Sequence, residues 1–497
     1  MNAGLAADVA TRRRALLTLL VATQFIVVLL DTDIALALPA IRRELGFSRV
    51  SLQWVQSAYL ITAGGFLLAG GRAADFFGRR RVLASGLWLY AAFTLVCGLA
   101  ASQALLVGAR AVSGVGAAVA AAAALSILTV TFRSGHARNT ALGAWGIASG
   151  LAAALGPAIG GVLTDALGWS AVFLTLVPVQ VAVAAGVLLV LPADAKREPA
   201  GGAELTDAAE TTGAAAQDPP DVAGSLLATG SLTLLIYAIT ATASVGWGSA
   251  RTLAALIGAL AFAALFALRE RAARAPVVPP RIWRLPNLAG GNAVALLFGA
   301  VVIGIFVWLA IYVQDTMGYS PTQAGLVLLP LGVAELIASM SAARLIGRLG
   351  FRGVLAIGML MLAAAMLGFT RLHHGASYAG ALLPAGVLFG AGIGLAFVSA
   401  VVACTEDLGH GADAGLASGL VNTSVQLGGA LGLAIVSAVA SGAAGALSAA
   451  GGGAADVSLT TGFHHALLIA AALAAAGAVI AWVVLSAPAH PDRNQRF

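Results

Sequence analysis

Charge is what this sequence has least of. Only 10% of its 497 residues are Asp, Glu, Lys or Arg, against about 25% in soluble domains. So few charges cannot keep a globular surface wetted, which excludes a soluble domain and leaves an integral membrane protein. Aromatic residues are also sparse, at 6%. Segments of about ten residues that alternate apolar with polar, the mark of a transmembrane barrel, are absent. Cysteine occurs twice, at Cys97 and Cys404, in or beside apolar runs, so no disulfide framework is expected. Lysine occurs once, at Lys196, beside 26 arginines. No phosphate-binding loop, nucleophile motif or cluster of metal ligands occurs, which excludes an ATP-driven pump at the level of motifs. Neither a metal nor a cofactor is expected.

What the chain has is apolar length. Hydrophobic residues make up 60% of it, and 61 residues are glycine, which suits closely packed membrane helices. The expected fold class is all-α integral membrane. A span needs roughly 20 apolar residues, and fourteen such runs begin near Ala15, Leu52, Val82, Ala104, Asn139, Trp169, Val222, Thr252, Leu288, Thr322, Val354, Tyr378, Ala414 and Phe463. The first follows Arg12–Arg14, is too long for a signal peptide and has no clear cleavage site.

The arginines set the orientation. Five lie on connections of one side (Arg42, Arg43, Arg49, Arg251, Arg371), Arg110 lies within a span, and the other 21 of the 27 basic residues lie on the opposite side. That bias predicts both termini in the cytoplasm. It also accounts for the net charge of +6 without a nucleic-acid partner. Residues 192–221 are rich in Ala, Gly and Pro and carry seven acids, which predicts a solvated cytoplasmic linker. Ser441–Gly462, nearly all Ala, Gly and Ser, predicts a flexible outer loop.

The stretch G-R-A-A-D-F-F-G-R-R-R-V-L (Gly71–Leu83) has an echo in A-R-L-I-G-R-L-G-F-R-G-V-L (Ala343–Leu355) at an offset of 272 residues without a gap. The same offset lays Gly156–Gly160 on Gly428–Gly432. Two matches at one offset predict two similar six-helix bundles, residues 1–191 and 287–490. Between them come the linker 192–221 and two inserted helices with a following loop, 222–286; a tail, 491–497, follows the second bundle. Two bundles with a path between them is the architecture of secondary transporters.

These residues resemble the fourteen-span drug:proton antiporter (DHA2) branch of the major facilitator superfamily over nearly the whole chain. The likeness runs from A-L-P-A-I-R-R-E-L-G-F-S (Ala37–Ser48) to G-L-A-S-G-L-V-N-T-S-V-Q-L-G-G-A (Gly415–Ala430). Gly71–Leu83 matches the family's loop motif between spans 2 and 3, and Leu105–Ala118 matches its span 4 motif. L-G-P-A-I-G-G (Leu155–Gly161) matches the span 5 motif associated with antiporters. The resemblance implies a proton-coupled exporter of amphipathic, cationic or aromatic drugs, multi-pass in the plasma (inner) membrane and monomeric. Its partners are a small-molecule substrate, protons as the coupling ion and the lipid bilayer. An exporter of an endogenous metabolite, such as a self-made antibiotic or a lipid, is the alternative on the same fold; a non-transporting sensor is a third class. The resemblance further implies a gate at Asp75, with Gly71, Gly78, Arg79 and Arg80, and an antiporter motif at Gly156, Pro157, Gly160 and Gly161.

Charges inside a bilayer cost about 2.5–3.5 kcal/mol each on insertion scales, so each needs a reason. Asp31 and Asp33 lie in span 1, Asp31 at ~24 Å from the cytoplasmic side. Residues two apart project ~200° apart, so the two acids cannot face one cavity. Asp31, on the face of Gln24 and Ala35, is the expected proton carrier; Asp33 either shares that role or reaches the outer headgroups. Arg110, ~9 Å below the outer surface, lies at a similar depth and either pairs with the acid or snorkels outward. Glu335, ~17–20 Å into span 10, either attracts a cation or second proton or bonds a neighbouring hydroxyl. Asn422, Thr423, Ser424 and Gln426 form a polar cluster that lines the cavity or links helices. Gln24, Glu335, Asn422 and Gln426 are therefore the expected cavity residues.

Overall fold

A backbone in hydrocarbon must satisfy its own hydrogen bonds, and every regular element among the described residues is helical. The computed structural model describes residues 2–132, 135–191, 221–273, 285–373, 377–406, 412–449 and 455–486. The first bundle comprises α1 (Asn2–Leu45), the short α2 (Arg49–Leu52), α3 (Trp54–Phe77), α4 (Arg79–Gly98), α5 (Gln103–Thr131) and α6 (Gly135–Leu167), then α7 (Ser170–Leu174) running on into α8 (Leu176–Val190). An inserted pair follows, α9 (Val222–Val245) and α10 (Ala250–Ala272). The second bundle comprises α11 (Pro286–Asp315), α12 (Pro321–Phe369), α13 (Leu383–Glu406, entered through a π-helical turn), α14 (Ala412–Ala449) and α15 (Ala455–Val483). Among the described residues, twelve helices are long and apolar enough to cross a membrane.

Helix starts are written locally. Ser102, Ser249 and Ser320 cap α5, α10 and α12 by accepting a hydrogen bond from a backbone N–H of the first turn, which satisfies a donor the helix itself leaves open. Asp221 does the same for α9, and its carboxylate also pairs with Arg269 of α10 at 2.8 Å. The rest of the predicted linker, 192–220, lies outside the described residues.

The internal repeat returns as a repeated corner. Gly78 joins α3 to α4 at φ 99°, and Gly350, 272 positions later, breaks α12 at φ 73°. Both sit in the left-handed region that favours glycine. Just beyond each corner the helices pack equally closely. A Cβ on Gly86 would lie 2.8 Å from the amide N of Ala120, and one on Gly358, 272 residues on, 2.7 Å from that of Ala396.

The two bundles meet along two seams, α6 against α12 and α3 against α14, with α1 also touching α11. The inserted α9 packs on both α3 and α14, and Gln53 of α3's N-terminus donates to Thr240 of α9 at 2.6 Å. One expectation is corrected. Of Ser441–Gly462, residues 441–449 continue α14 and 455–462 begin α15. Alanine is the strongest helix former, and the Ala-rich run extends helices already nucleated by their packed parts.

Candidate functional site

The pattern W-V-Q-S-A-Y on α3 puts Val55, Gln56 and Tyr59 on one face at i, i+1 and i+4. That face meets Arg110 of α5. Arg110 is fully buried. Its Nε donates to Val55 O at 3.0 Å, one Nη donates to Gln56 Oε1 at 3.2 Å, and its Cζ lies 4.2 Å from the Tyr59 ring centroid, a cation–π contact. Arg110 therefore does not snorkel outward. The half-buried Asp31 reaches it indirectly: Gln56 Nε2 donates to Asp31 Oδ1 at 2.6 Å and lies 3.2 Å from Asp31 O. The order is carboxylate, amide, guanidinium, with no direct Asp31–Arg110 ion pair among the described residues. Gln56 was not singled out from the sequence. A glutamine in an apolar span was the available signal.

Asp33 is also fully buried, and neither carboxylate oxygen has a hydrogen-bond partner among the described residues. It does not reach the headgroups. Its backbone is pressed against α6, where a Cβ on Gly160 would lie 2.7 Å from Asp33 Cβ and one on Gly156 2.9 Å from Thr32 Cβ. The next face of α6 meets the other bundle: a Cβ on Gly161 would lie 2.9 Å from the carbonyl carbon of Pro321, and one on Gly325 of α12 2.9 Å from Ala158 Cα. L-G-P-A-I-G-G thus places small residues on two faces of one helix, which lets α6 sit between α1 and α12 at backbone contact. Lower on α1, Gln24 Nε2 donates to Ser149 of α6 at 2.9 Å.

Glu335 lies on the α12 stretch beside this seam, where the neighbouring Leu336 faces Gly150 of α6. It is half-buried, and among the described residues it has neither a hydrogen bond nor an ion pair, so the expected hydroxyl partner is not there. Its own backbone is packed by Gly390 and Gly394 of α13. On α14, Asn422 and Gln426 are half-buried, and Gln426 Cβ lies 3.2 Å from where a Cβ on Gly64 would stand. Ser424 donates to Asn292 of α11 at 2.9 Å, a link between helices, while the Thr423 hydroxyl is buried without a partner. The structure joins Asp31 and Arg110 through Gln56; Glu335, Asn422 and Gln426 belong to the second bundle.

At the arginine-rich end, Gly71 faces Ala122 of α5 at ordinary contact distance. Arg79 donates to Ser126 of α5 at 2.9 Å and Arg80 to Leu188 O of α8, both within the first bundle. The Asp75 side chain lies outside the described residues. The opposite end is tied across the bundles. Arg42 of α1 pairs with Asp315 of α11 at 2.8 Å, Gln314 donates to Leu36 O at 3.1 Å, and Ser320 donates to Asp165 of α6 at 3.0 Å. Beneath the ion pair lies an apolar pocket walled by Trp308, Tyr312 and Phe463, the last two stacked at 4.9 Å. With 19% and 22% of their side chains exposed, Arg42 and Asp315 form a modest tie, worth about 0–1 kcal/mol. Arg42→Ala and Asp315→Ala should each change the transport rate by no more than about fivefold, and the double variant should resemble either single one. A transport assay on the three variants checks this.

Two repeated helical bundles that meet along seams and enclose buried charges define a membrane transporter. The sequence profile of the Major Facilitator Superfamily matches residues 18–433, and the chain belongs to that superfamily. It is 37% identical over 411 residues to the cephamycin export protein CmcT of Amycolatopsis lactamdurans, covering 82% of this chain and 81% of that one. It is 36% identical over 477 residues to the puromycin resistance protein pur8 of Streptomyces alboniger, covering 95% and 91%. Among solved structures, a bacterial homolog of the human lysosomal transporter Spinster superposes with a TM-score of 0.67 at 15% identity, over 96% of this chain and 99% of that one. That likeness is one of fold alone. The protein is thus a multi-pass membrane transporter with relatives named for antibiotic export and resistance, and not an enzyme.

Proposed function

We propose that the protein is a proton-coupled antiporter that exports amphipathic small molecules from the cytoplasm by rocking its two bundles about the seams. The observation that carries this reading is the Asp31–Gln56–Arg110 chain, an acid held beside a buried cation in the first bundle. A proton arriving at Asp31 from the outer side removes the anion that balances Arg110 and favours substrate departure. Loss of the proton inside resets the carrier. The relatives' names support antibiotic-like cargo, either foreign drugs or a self-made antibiotic. The proposed place is the plasma membrane, with a monomer as the working unit and the proton as the only coupling species.

We further propose fourteen spans with both termini cytoplasmic. The break at Gly350 divides the 49-residue α12 into two lengths, and α3, with 24 residues, is long enough at 1.5 Å per residue to cross ~30 Å of hydrocarbon. The division into bundles 1–191 and 287–490 around the inserted 222–286 goes with that count. The arginine-rich end is the cytoplasmic one, since it holds most of the basic residues.

Reconstitution into proteoliposomes with an imposed pH gradient tests the function. Uphill uptake that collapses with a protonophore supports it, and uptake indifferent to the gradient refutes coupling. In the same vesicles Glu335→Gln should weaken transport of dicationic dyes by about tenfold or more and that of neutral antibiotics little. Its unpartnered carboxylate would offer a cation about 1.4 kcal/mol or more, which corresponds to that factor. Equal effects on both classes would sink the assignment of Glu335 to cation recognition.

A further inference from the structure

We propose that Gln56 is the positioning residue that makes the hold on Arg110 depend on the proton at Asp31, by turning its amide over. The proposal rests on the proton-coupled reading above and gives it a device. An ionised carboxylate only accepts hydrogen bonds, a guanidinium only donates them, and a primary amide has one end of each kind. Between Asp31 and Arg110 the amide can satisfy both neighbours in one orientation only. That is the orientation seen: NH₂ toward Asp31 at 2.6 Å and the amide oxygen toward Arg110 at 3.2 Å.

A proton on Asp31 turns one carboxylate oxygen into an O–H donor. The other carboxyl oxygen still accepts. When the proton sits on Oδ1, the oxygen that faces Gln56, the acceptor within its reach is the Gln56 amide oxygen. A half-turn about the last side-chain torsion brings that oxygen round in exchange for the 3.2 Å contact to Asp31 O. The same half-turn puts the amide NH₂ against the guanidinium, donor facing donor. Arg110 loses one of its two described side-chain hydrogen bonds and keeps Val55 O and the Tyr59 face. No proton passes through the amide. The proton binds at Asp31 and leaves from Asp31, while the glutamine transmits only the change in its hydrogen-bonding sense. An alanine, leucine or methionine at position 56 has no such sense to reverse, and a glutamate has only the accepting one.

The Ser113 hydroxyl, one turn beyond Arg110, donates to Arg110 O at 2.9 Å. Among the described residues, the ionisable side chains that interact electrostatically with Asp31 or Arg110 are Asp33 of α1, Tyr59 of α3, and Tyr90 and Cys97 of α4. Tyrosine and cysteine ordinarily titrate above neutrality, and Asp33 makes no described hydrogen bond to the amide. The proton that matters to Gln56 is therefore the one on Asp31.

The experiment needs no substrate. Full-length protein in lipid vesicles would carry spin labels at Leu167→Cys on α6 and Leu326→Cys on α12, both exposed beside the seam. The label distance and the infrared carboxylic-acid band of Asp31, identified by its absence in Asp31→Asn, would be followed between about pH 5 and 8, around the range where perturbed acids titrate. In the wild type the distance change and the band should titrate together. In Gln56→Met the band should persist while the distance change is lost. In Gln56→Glu, a second and independent variant, the distance should stay fixed at its high-pH value. A Gln56→Met protein whose distance still follows the band overturns the amide switch, and so does a Gln56→Glu protein that responds like the wild type. If Asp31→Asn itself keeps the full pH response, the proton-coupled reading has failed at Asp31 instead, a result distinct from failure at Gln56.

Discussion

Asp31→Asn is expected to leave a carrier that exchanges substrate across the membrane but cannot concentrate it. Asparagine has nearly the shape of aspartate, and its amide oxygen can still accept from Gln56 Nε2, the contact now made at 2.6 Å. The packing of α1 against α5 and α6, and its link to α3, should therefore survive. What is lost is ionisation. Each pH unit across the membrane supplies about 1.4 kcal/mol per proton, or a tenfold substrate gradient. A wild-type vesicle with a one-unit gradient and one proton per cycle should reach about that accumulation; the variant should level off at equal concentrations inside and out. Counterflow, in which labelled substrate enters against unlabelled substrate with no pH gradient, should remain measurable. Accumulation equal to the wild type would remove Asp31 from the coupling path, and loss of counterflow would show that its role is in binding or in structure.

Gly325→Leu should act on the seam without unfolding either bundle. The α6 and α12 backbones touch there: a Cβ on Gly325 would lie 2.9 Å from Ala158 Cα, and one on Gly332 2.5 Å from Ala154 Cα. In a closed core such over-packing costs about 1–3 kcal/mol. Here the two sides belong to different bundles, so the strain can be relieved by parting them. That energy translates into a shift of about fivefold to two-hundredfold toward the conformation open at this end. Spin-label distances across α6 and α12 should lengthen, and turnover should fall because the closed state becomes costly. Gly432→Leu is the contrast. Gly432 meets Ala300 of α11 inside the second bundle, where no rocking motion can relieve the clash, so melting temperature should fall instead. A Gly325→Leu protein that melts early with an unchanged distance distribution would place the effect in stability rather than in the conformational equilibrium.

The parts of the site legible in the sequence were those that break its dominant pattern. Asp31, Arg110 and Glu335 stand out because an embedded charge is expensive and hence rare. The corner at Gly78 announces itself because its counterpart at Gly350 recurs with an Arg two places on and Val-Leu four and five places on. Gln56 broke the pattern only weakly, and its meaning depends on α3 turning that side chain toward both α1 and α5, which no single-helix period reveals. The burial of Asp33 was hidden for a related reason. A helical projection separates Asp31 from Asp33 and suggests one inner and one outer face, but α1 is covered by α5 on one side and α6 on another, so it has more than one interior face. Arg42 and Asp315 read as ordinary charges at the ends of apolar runs, and only the meeting of α1 with α11 makes them a pair.

The inserted α9 makes the two seams unlike one another. The 272-residue repeat lays α3 on the first part of α12 and α6 on α14, so the α6–α12 and α3–α14 seams are counterparts of one another. Helix α9 lies against α3 and α14, with Thr229 filling the hollow at Gly65 and Thr240 anchored by Gln53, and so covers one seam. Among the described residues one seam carries an added helix, while the other is closed by direct backbone contact between α6 and α12 alone.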